Sequence, residues 1–148
     1  MIRVQTEDFD IGAEVAALTA GRTDIGAIVT FSGLVRDANG GSVASMELEH
    51  YPGMTEKELA RIAREANERW PLQASLVIHR VGKLLPGDNI VLVVAASAHR
   101  QAAFEAASFL MDYLKTRAPF WKREDTGGET RWVDARESDG EAAAKWKA

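Results

Sequence analysis

Short runs of apolar and β-branched residues recur along the chain and predict six β-strands. Most of these runs alternate with polar residues, as expected for strands with one buried face. Residues 90–96, Ile-Val-Leu-Val-Val-Ala-Ala, are instead apolar on both faces, which is typical of a central strand covered on both sides. The predicted strands are residues 2–5, which would form a short edge strand, 27–35, 42–51, 74–82, 89–97 and 130–135.

Two shorter helices are predicted from periodicity and from residues that cap helix ends. Asp10 can cap a helix that runs to about Ala20 and is closed by Gly21, with inward residues Val15, Ala16 and Leu18. The segment Thr55-Glu56-Lys57-Glu58 has the form of a capping box, in which the hydroxyl bonds forward and the last carboxylate bonds back. The helix that it starts would end at Trp70-Pro71 and bury Leu59, Ile62, Ala63 and Ala66.

Residues 99–124 form the stretch around which the second half of the chain is organised. The pattern predicts one helix with Ser97 as N-cap, His99 and Arg100 in its first turn, and Lys115 and Arg117 at its end. Its apolar face would consist of Ala103, Ala106, Ala107, Leu110 and Leu114, with Phe109 and Tyr113 beside it. A break with proline and aromatic residues follows, and then come Lys122 and Arg123.

The order of these elements, β-α-β-β-α-β-β-α-β, predicts an α+β domain with a mostly antiparallel sheet and packed helices. The chain shows no internal repeats and no long linker, so residues 1–148 are expected to form a single domain. Residues 137–148 are rich in Ala and Lys and are expected to form a tail that docks or frays.

Charge is unevenly distributed along the chain and points to an anionic ligand. The net charge is −4, yet residues 115–123 carry four cations and no acid, which leaves −8 for the rest. A concentrated positive site on an acidic protein favours an anionic ligand over general binding to nucleic acid. The absence of cysteine excludes disulfides, thiolate metal sites and a cysteine nucleophile. With no signal-peptide pattern and no apolar run of ~18 residues, the protein is expected to be cytoplasmic.

His99 and Arg100 form the first candidate site. The N-terminal end of a helix already carries partial positive charge, so cations there disfavour the helix but suit an anion, and phosphate fits best. The alternative is that both side chains only face solvent. Arg36, at a strand end beside the flexible turn Asp37-Ala38-Asn39-Gly40-Gly41, is well placed to reach a ligand; the alternative is a solvated arginine at a strand end. His50 and His79 are interpreted as strand or core residues rather than ligands.

Lys115 is the second candidate, because of what surrounds it. A lysine at a helix C-terminus usually only complements the helix dipole. Here the neighbouring cations would lower its pKa by repulsion, and Phe120 and Trp121 would add desolvation. A lysine needs such a lowered pKa to act as a base or nucleophile near neutral pH.

The two candidate sites are too far apart for one small ligand. His99 and Lys115 are separated by sixteen residues, which is roughly 24 Å along one helix. Either they serve different sites, or a symmetric dimer brings the His99 end of one subunit to the Lys115 end of the other, and we predict the dimer. No residues have metal-ligand spacing and no nucleotide-binding motif is present, so no metal and no cofactor are predicted. These residues indicate an anion-binding α+β protein and leave open whether it is an enzyme.

Six segments closely resemble the large, catalytic subunit of the molybdopterin synthase family. They are FSGLVR at 31–36, LEHYPGM at 48–54, IHRVG at 78–82, PGD at 86–88, SAHR at 97–100 and MDYLKTRAPFWKRE at 111–124. The resemblance runs from about Gly26 to Asp139 in the family's order and spacing, with no departure at the motif positions. It implies an α/β-hammerhead-like fold with a small antiparallel β subdomain.

The resemblance also implies a reaction and partners. That family transfers sulfur to cyclic pyranopterin monophosphate and so forms the dithiolene of molybdopterin during molybdenum cofactor biosynthesis. The sulfur arrives as a thiocarboxylate on the C-terminal Gly-Gly of a small ubiquitin-like partner subunit. The assembly is a heterotetramer built on a homodimer of large subunits.

The residues that match the family's site agree with the candidates from charge and geometry. By resemblance, Lys115 and Lys122 are catalytic and also contact substrate. The other substrate-binding positions implied are Leu34, Val35, Arg36, His99, Arg100, Arg123 and Glu124. The competing hypothesis is a non-catalytic adaptor that uses the same cations to hold the C-terminal tail of a ubiquitin-like partner.

Overall fold

The computed structural model describes residues 1–36, 45–125, 130–133 and 143–146. This part of the chain contains three helices and eight strands. In chain order they are β1 (Ile2–Gln5), α1 (Ile11–Thr19), β2 (Ala27–Leu34), β3 (Ser45–His50), α2 (Met54–Arg69), β4 (Leu72–Arg80), β5 (Gly82–Leu84), β6 (Asn89–Ser97), α3 (Arg100–Arg117), β7 (Phe120–Asp125) and β8 (Thr130–Val133). The predicted α+β class is therefore confirmed.

One four-stranded sheet has the order β1-β4-β6-β2 and carries most of the core. β6 lies inside it and pairs antiparallel with both β4 and β2, which confirms it as a central strand. β1 is an edge strand, as predicted, and it pairs parallel with β4. The apolar run in β6 is buried on both faces because helices cover both sides of the sheet.

The faces of this sheet pack against different helices. On one face Val77, Val91 and Val93 join the buried side of α2 and the predicted apolar face of α3. On the other face Leu76, Ile78, Leu92 and Val94 pack with Phe9 against α1. Ala103, Ala106 and Ala107 of α3 are buried, which allows the helix to approach the sheet closely.

The second sheet has the order β5-β3-β7-β8, and its pairings are antiparallel. β5 and β7 were absent from the predicted elements. β7 occupies the segment predicted as a break after α3, and its charged residues form a strand because it pairs with β3 on one side and β8 on the other. This sheet supplies the small antiparallel part of the predicted fold.

The capping box predicted for the start of α2 is wrong. α2 begins at Met54, where the Gly53 N–H donates to Glu56 Oε1 at 3.0 Å, so Glu58 does not close a capping box. The Thr55 hydroxyl accepts from the Tyr51 N–H and donates to the carbonyl of Pro119 at 2.9 Å. The four-residue motif reveals neither the bond between Gly53 and Glu56 nor the bond from Thr55 to Pro119.

Ser97 is not the N-cap of α3. It is the last residue of β6, and its hydroxyl donates to the Pro71 carbonyl at 2.9 Å. His99 occupies the N-cap position and Arg100 the first helical position. The helix therefore starts two residues later than a capping serine would allow, while β6 ends at Ser97, as predicted.

α1 has the predicted cap, and part of the C-terminal tail is docked. Asp10 caps α1 by accepting from the Ala13 N–H at 2.8 Å, as predicted, but Ala16 is exposed rather than inward. In the tail, Ala143 is buried and Trp146 Nε1 donates to Asp112 at 2.6 Å. Residues 143–146 therefore dock on α3. Residues 137–142, 147 and 148, and the predicted strand ends 42–44 and 134–135, lie outside the described residues.

Candidate active site

α3 separates the predicted cations into two groups. The helix is continuous from Arg100 to Arg117, so the sixteen residues between His99 and Lys115 span roughly 24 Å. It follows β6 after two residues and packs back along the sheet, with the same direction as β2. His99 and Arg100 thus lie at one end of the sheet, and Lys115 lies at the other.

An open cleft at the N-terminal end of α3 is lined by Gly26, Ala27, Ala98, His99, Arg100 and Gln101. His99 and Arg100 are both exposed. The first turn of the helix contains no acid, and its N-cap makes no side-chain bond to the helix. Free N–H groups, the positive end of the helix dipole, the Arg100 guanidinium and the His99 ring suit a phosphate or another small anion.

Gly26 shapes this cleft, and its role could not be predicted from the sequence. Its N–H donates to the Ser97 carbonyl at 3.0 Å, which ties the start of β2 to the end of β6. A Cβ at Gly26 would lie 2.1 Å from the carbonyl oxygen of Ala98, far inside van der Waals contact. Only glycine leaves the connection between β6 and α3 in place.

At the other end of α3, Lys115 is exposed in the last turn. Arg117 is directed elsewhere: its guanidinium stacks over the Tyr113 ring at 3.8 Å and lies 3.7 Å from Glu65 on α2. The sequence grouped Arg117 with the cations around Lys115. The structure instead gives it a packing and ion-pairing role against α2.

β7 brings Lys122 to the same end of the molecule. Successive residues of a strand face opposite sides, so Lys122 shares a face with Phe120, while Trp121 faces away and is 46% exposed. Lys122 pairs in register with Leu48, which is buried, and it is itself half-buried. Lys122 therefore lies at the border between the core and the surface.

His79 joins these two lysines. Its ring is only 6% exposed and is stacked on Phe120, with centroids 3.9 Å apart and planes 20° apart. The imidazole lies 2.8 Å from the Arg80 carbonyl through Nδ1, which must donate because a carbonyl only accepts. The pKa of His79 is lowered from 6.5 to about 4, mainly by burial and in the same sense by the nearby Lys115 and His50, while the bond to the Arg80 carbonyl acts in the opposite sense.

His50 belongs to the same group of residues. It is half-buried at the end of β3, pairs in register with Phe120, and its Nε2 lies 3.8 Å from Glu56. His50 and His79 are strand residues, as the sequence indicated, but their convergence with Lys115 was missed. A signal was present, since both histidines fall within two of the segments, 48–54 and 78–82, that carry the family resemblance.

Leu34 ends β2, and Val35 and Arg36 follow it, at the same end of the sheet as Lys115. Leu34 is 53% exposed, and Arg36 is also exposed. Val35 is buried with Leu48, and its N–H and carbonyl bond to Asp88 and Gly87 at 2.8 Å each. Val35 thus holds Arg36 near β3, which pairs with β7 and so with Lys122. The backbones of Arg123 and Glu124 lie in β7, and their side chains lie outside what the structure describes.

Metal and membrane signatures are absent from the described ranges. Within residues 1–36, 45–125, 130–133 and 143–146, no three His, Asp or Glu side chains are grouped to hold a metal ion. In that same portion of the chain, no helix is both long and apolar enough to cross a membrane.

Known proteins with similar sequences and folds identify the family. The sequence profile of the family described as "MoaE protein" matches residues 4–117. A molybdopterin synthase catalytic subunit from Mesorhizobium japonicum is 66% identical over 148 residues, covering 99% of this chain and 92% of the relative.

Two solved structures extend the similarity to the fold. A molybdopterin biosynthesis MoaE protein from Burkholderia ambifaria superposes with a TM-score of 0.86 at 57% identity, covering 99% of this chain and 97% of that one. A Helicobacter pylori structure, described as a protein–protein complex of subunits 1 and 2 of molybdopterin-converting factor, has a TM-score of 0.74 at 20% identity. It covers 92% of this chain and 90% of that chain, and it shows the fold alone. On the family profile and the 66% identical relative, this chain belongs to the MoaE protein family.

Proposed function

We propose that this chain is the catalytic subunit of a molybdopterin synthase, an enzyme of molybdenum cofactor biosynthesis. Its relatives carry that name, and the family's segments are present in full. In the reaction, sulfur from the thiocarboxylated C-terminus of a small partner subunit enters cyclic pyranopterin monophosphate to form the dithiolene. The observation that carries this proposal is that Lys115 lies close to the buried His79, whose ring is stacked on Phe120, while Lys122 lies two residues beyond Phe120 on the same face of β7.

The N-terminal cleft of α3 is proposed to hold the phosphate of the substrate. His99 and Arg100 line it, and charge-assisted bonds from such groups to phosphate are stronger than neutral ones. In this proposal the cleft selects substrates by their negative charge, and other residues act on the carbon atoms that receive sulfur. Arg36 lies just beyond the other end of β2, at the same end of the sheet as Lys115. It is exposed there and is proposed as a further contact to substrate.

Lys115 and Lys122 are proposed to carry the chemistry. A lysine that releases and recovers a proton transfers protons as the thiocarboxylate adds and water leaves. A water molecule then hydrolyses the bond between the partner's carbonyl carbon and the sulfur, which leaves sulfur on the pterin and a carboxylate on the partner, and the same cations stabilise that carboxylate. Arg123 and Glu124 flank Lys122 in the chain and are proposed to contact substrate as well.

The distance between the two sites supports a shared arrangement in a homodimer. Roughly 24 Å along α3 exceeds the reach of a small pterin phosphate. A two-fold axis that apposes the N-terminal end of α3 to the C-terminal end of the partner's α3 would complete both sites at once. Addition of one small subunit to each site would then give a heterotetramer.

A reconstituted assay tests the function. Purified chain, a thiocarboxylated small subunit and cyclic pyranopterin monophosphate are mixed, and dithiolene formation is measured. We expect Lys115→Ala and Lys122→Ala each to lose about 10² or more of the rate, as removal of a proton-transfer group does. Lys83→Ala is the matched control, because Lys83 is exposed on β5 and pairs with Glu47 on the other side of β3. Full activity of Lys115→Ala would refute the mechanism.

Mixing two inactive variants tests the shared site. Lys115→Ala and Arg100→Ala each damage both sites of a homodimer. After subunit exchange, half of the dimers contain one copy of each variant, and one of their two sites has every residue intact. Activity should therefore return to about a quarter of wild type. If the mixture stayed as inactive as its components, although exchange was demonstrated, each site would belong to one subunit.

The adaptor hypothesis predicts binding without reaction. A non-catalytic subunit would hold the partner's tail at Lys115 and Lys122 and would leave the thiocarboxylate unchanged. The half-buried position of Lys122 opposite the buried Leu48 favours a reactive site over a surface clamp, since a clamp needs only exposed charge. The reconstituted assay separates the two hypotheses directly.

A further inference from the structure

The link between α3 and β7 is short and held from two sides. Only Ala118 and Pro119 separate the helix from the strand, and the Phe120 N–H closes the turn on the Ala118 carbonyl at 2.9 Å. The hydroxyl of Thr55, which is buried, donates to the Pro119 carbonyl at 2.9 Å. α2 thus fixes the turn, and the first residue of β7 is fixed by a different contact.

That contact joins the two sheets. His79 lies on β4 of the first sheet, and Phe120 begins β7 of the second. Their rings are nearly parallel and 3.9 Å apart, and the bond from Nδ1–H to the Arg80 carbonyl fixes the orientation of the imidazole plane. A simple apolar side chain would fill the space but would leave the ring angle of Phe120 unset.

Each ring of the stack is close to one of the two proposed catalytic lysines, His79 to Lys115 in space and Phe120 to Lys122 along β7. Lys122 is two residues beyond Phe120 and shares its face of β7, so a rotation or shift of Phe120 moves Lys122. Lys115 is close enough for its charge to act on the imidazole. We propose that His79 is a positioning residue of the sulfur-transfer site, which holds Phe120 and thereby sets the position of Lys122 relative to Lys115.

This inference takes its chemistry from the proposed function, but the positioning of β7 can be measured without it. Three variants are compared with wild type. His79→Ala removes the ring, His79→Phe keeps a neutral aromatic ring without the bond to Arg80, and Leu76→Ala removes a buried side chain from the opposite face of β4. Leu76→Ala is the control for lost stability, because Leu76 has no part in the contact with β7.

The first readout is amide hydrogen exchange at Phe120 and Lys122, which needs no substrate. His79→Ala should accelerate exchange there by about 10-fold or more relative to the rest of the second sheet. His79→Phe should restore most of the protection. Leu76→Ala should leave the ratio between β7 and β3 unchanged. If exchange in β7 of His79→Ala matched that of wild type, the positioning role would be refuted.

The second readout is sulfur transfer in the reconstituted enzyme, measured below the melting temperature of every variant. His79→Ala should lower kcat by about 10- to 100-fold with little change in KM, since a displaced catalytic group loses rate while the phosphate cleft is intact. His79→Phe should recover part of kcat, and Leu76→Ala should keep it. A wild-type protein that makes no dithiolene would refute the proposed function, and the exchange data would still decide the role of His79. Equal losses in His79→Ala and Leu76→Ala would refute the inference.

Discussion

Acidification should destabilise this protein through one buried histidine. The pKa of His79 is lowered from 6.5 to about 4, first by burial and then by the charges of Lys115 and His50. The folded protein therefore keeps the imidazole neutral at pH values where the unfolded chain binds a proton. Stability from this group is complete above pH 6.5 and is lost as the pH falls toward 4.

The size of the effect follows from the shift in pKa. One unit corresponds to about 1.4 kcal/mol, so the loss attributable to His79 reaches about 2 kcal/mol at pH 5 and about 3 kcal/mol near pH 4. That is a large share of the about 5–15 kcal/mol that stabilises a typical domain.

Urea unfolding of wild type and His79→Phe at intervals from pH 8 to pH 4.5 measures this effect. All other ionisable groups are the same in both proteins, so their contributions largely cancel in the difference between the two free energies. We expect that difference to change by about 2 kcal/mol between pH 8 and pH 5, with wild type losing more. A difference that stayed constant across this range would show that His79 titrates normally in the folded state and would refute the reasoning.

Three further predictions concern the two ends of α3 and the docked tail. Gly26→Ala should displace Ala98 and raise KM for the phosphate-bearing substrate more than it lowers kcat, while Gly12→Ala, whose added Cβ meets only Asp10 Oδ1 at 3.5 Å, should not; steady-state kinetics measure both. Thr55→Val should lower the free energy of unfolding by about 1–3 kcal/mol, because it leaves the Pro119 carbonyl without its donor, and urea unfolding at pH 7.5 checks this. Trp146→Ala should lower stability by about 3–5 kcal/mol in the same measurement, because it removes a ring packed on Trp70 and Phe109 together with the bond to Asp112; an unchanged midpoint would mean that the tail is undocked in solution.

The elements set by local sequence were the ones that could be predicted. Asp10 caps α1, Trp70-Pro71 ends α2, and the apolar periodicity of α3 matches its buried face. β6 is central because it is apolar on both faces. These features depend on hydrophobic periodicity and on neighbours a few residues away in the chain.

The missed features depend on contacts between distant parts of the chain. β7 contains Phe-Trp-Lys-Arg-Glu-Asp, a composition that gives little local preference for a strand, and it forms because β3 and β8 pair with it. Thr55 was assigned to a cap, yet it bonds to Pro119, 64 residues away. Tertiary partners decided both cases.

The candidate site also contains features that the local sequence predicted and contacts between distant elements that it did not. The charge pattern located Lys115 and the cleft of His99 and Arg100, and the helical rise gave their separation. The charge pattern grouped Arg117 with Lys115 but did not reveal that Glu65 of α2 lies 3.7 Å from the Arg117 guanidinium. The stack of His79 on Phe120 could not be predicted, since it requires the two sheets to meet.

The most direct test of the proposed function is the fate of the partner's C-terminus. Mass spectrometry would follow a thiocarboxylated small subunit mixed with this chain and cyclic pyranopterin monophosphate. We expect the thiocarboxylate to become a carboxylate as the pterin gains sulfur, and we expect neither change with Lys115→Ala. A thiocarboxylate that stayed intact while both ligands were bound, or one that Lys115→Ala consumed at the wild-type rate, would contradict the account.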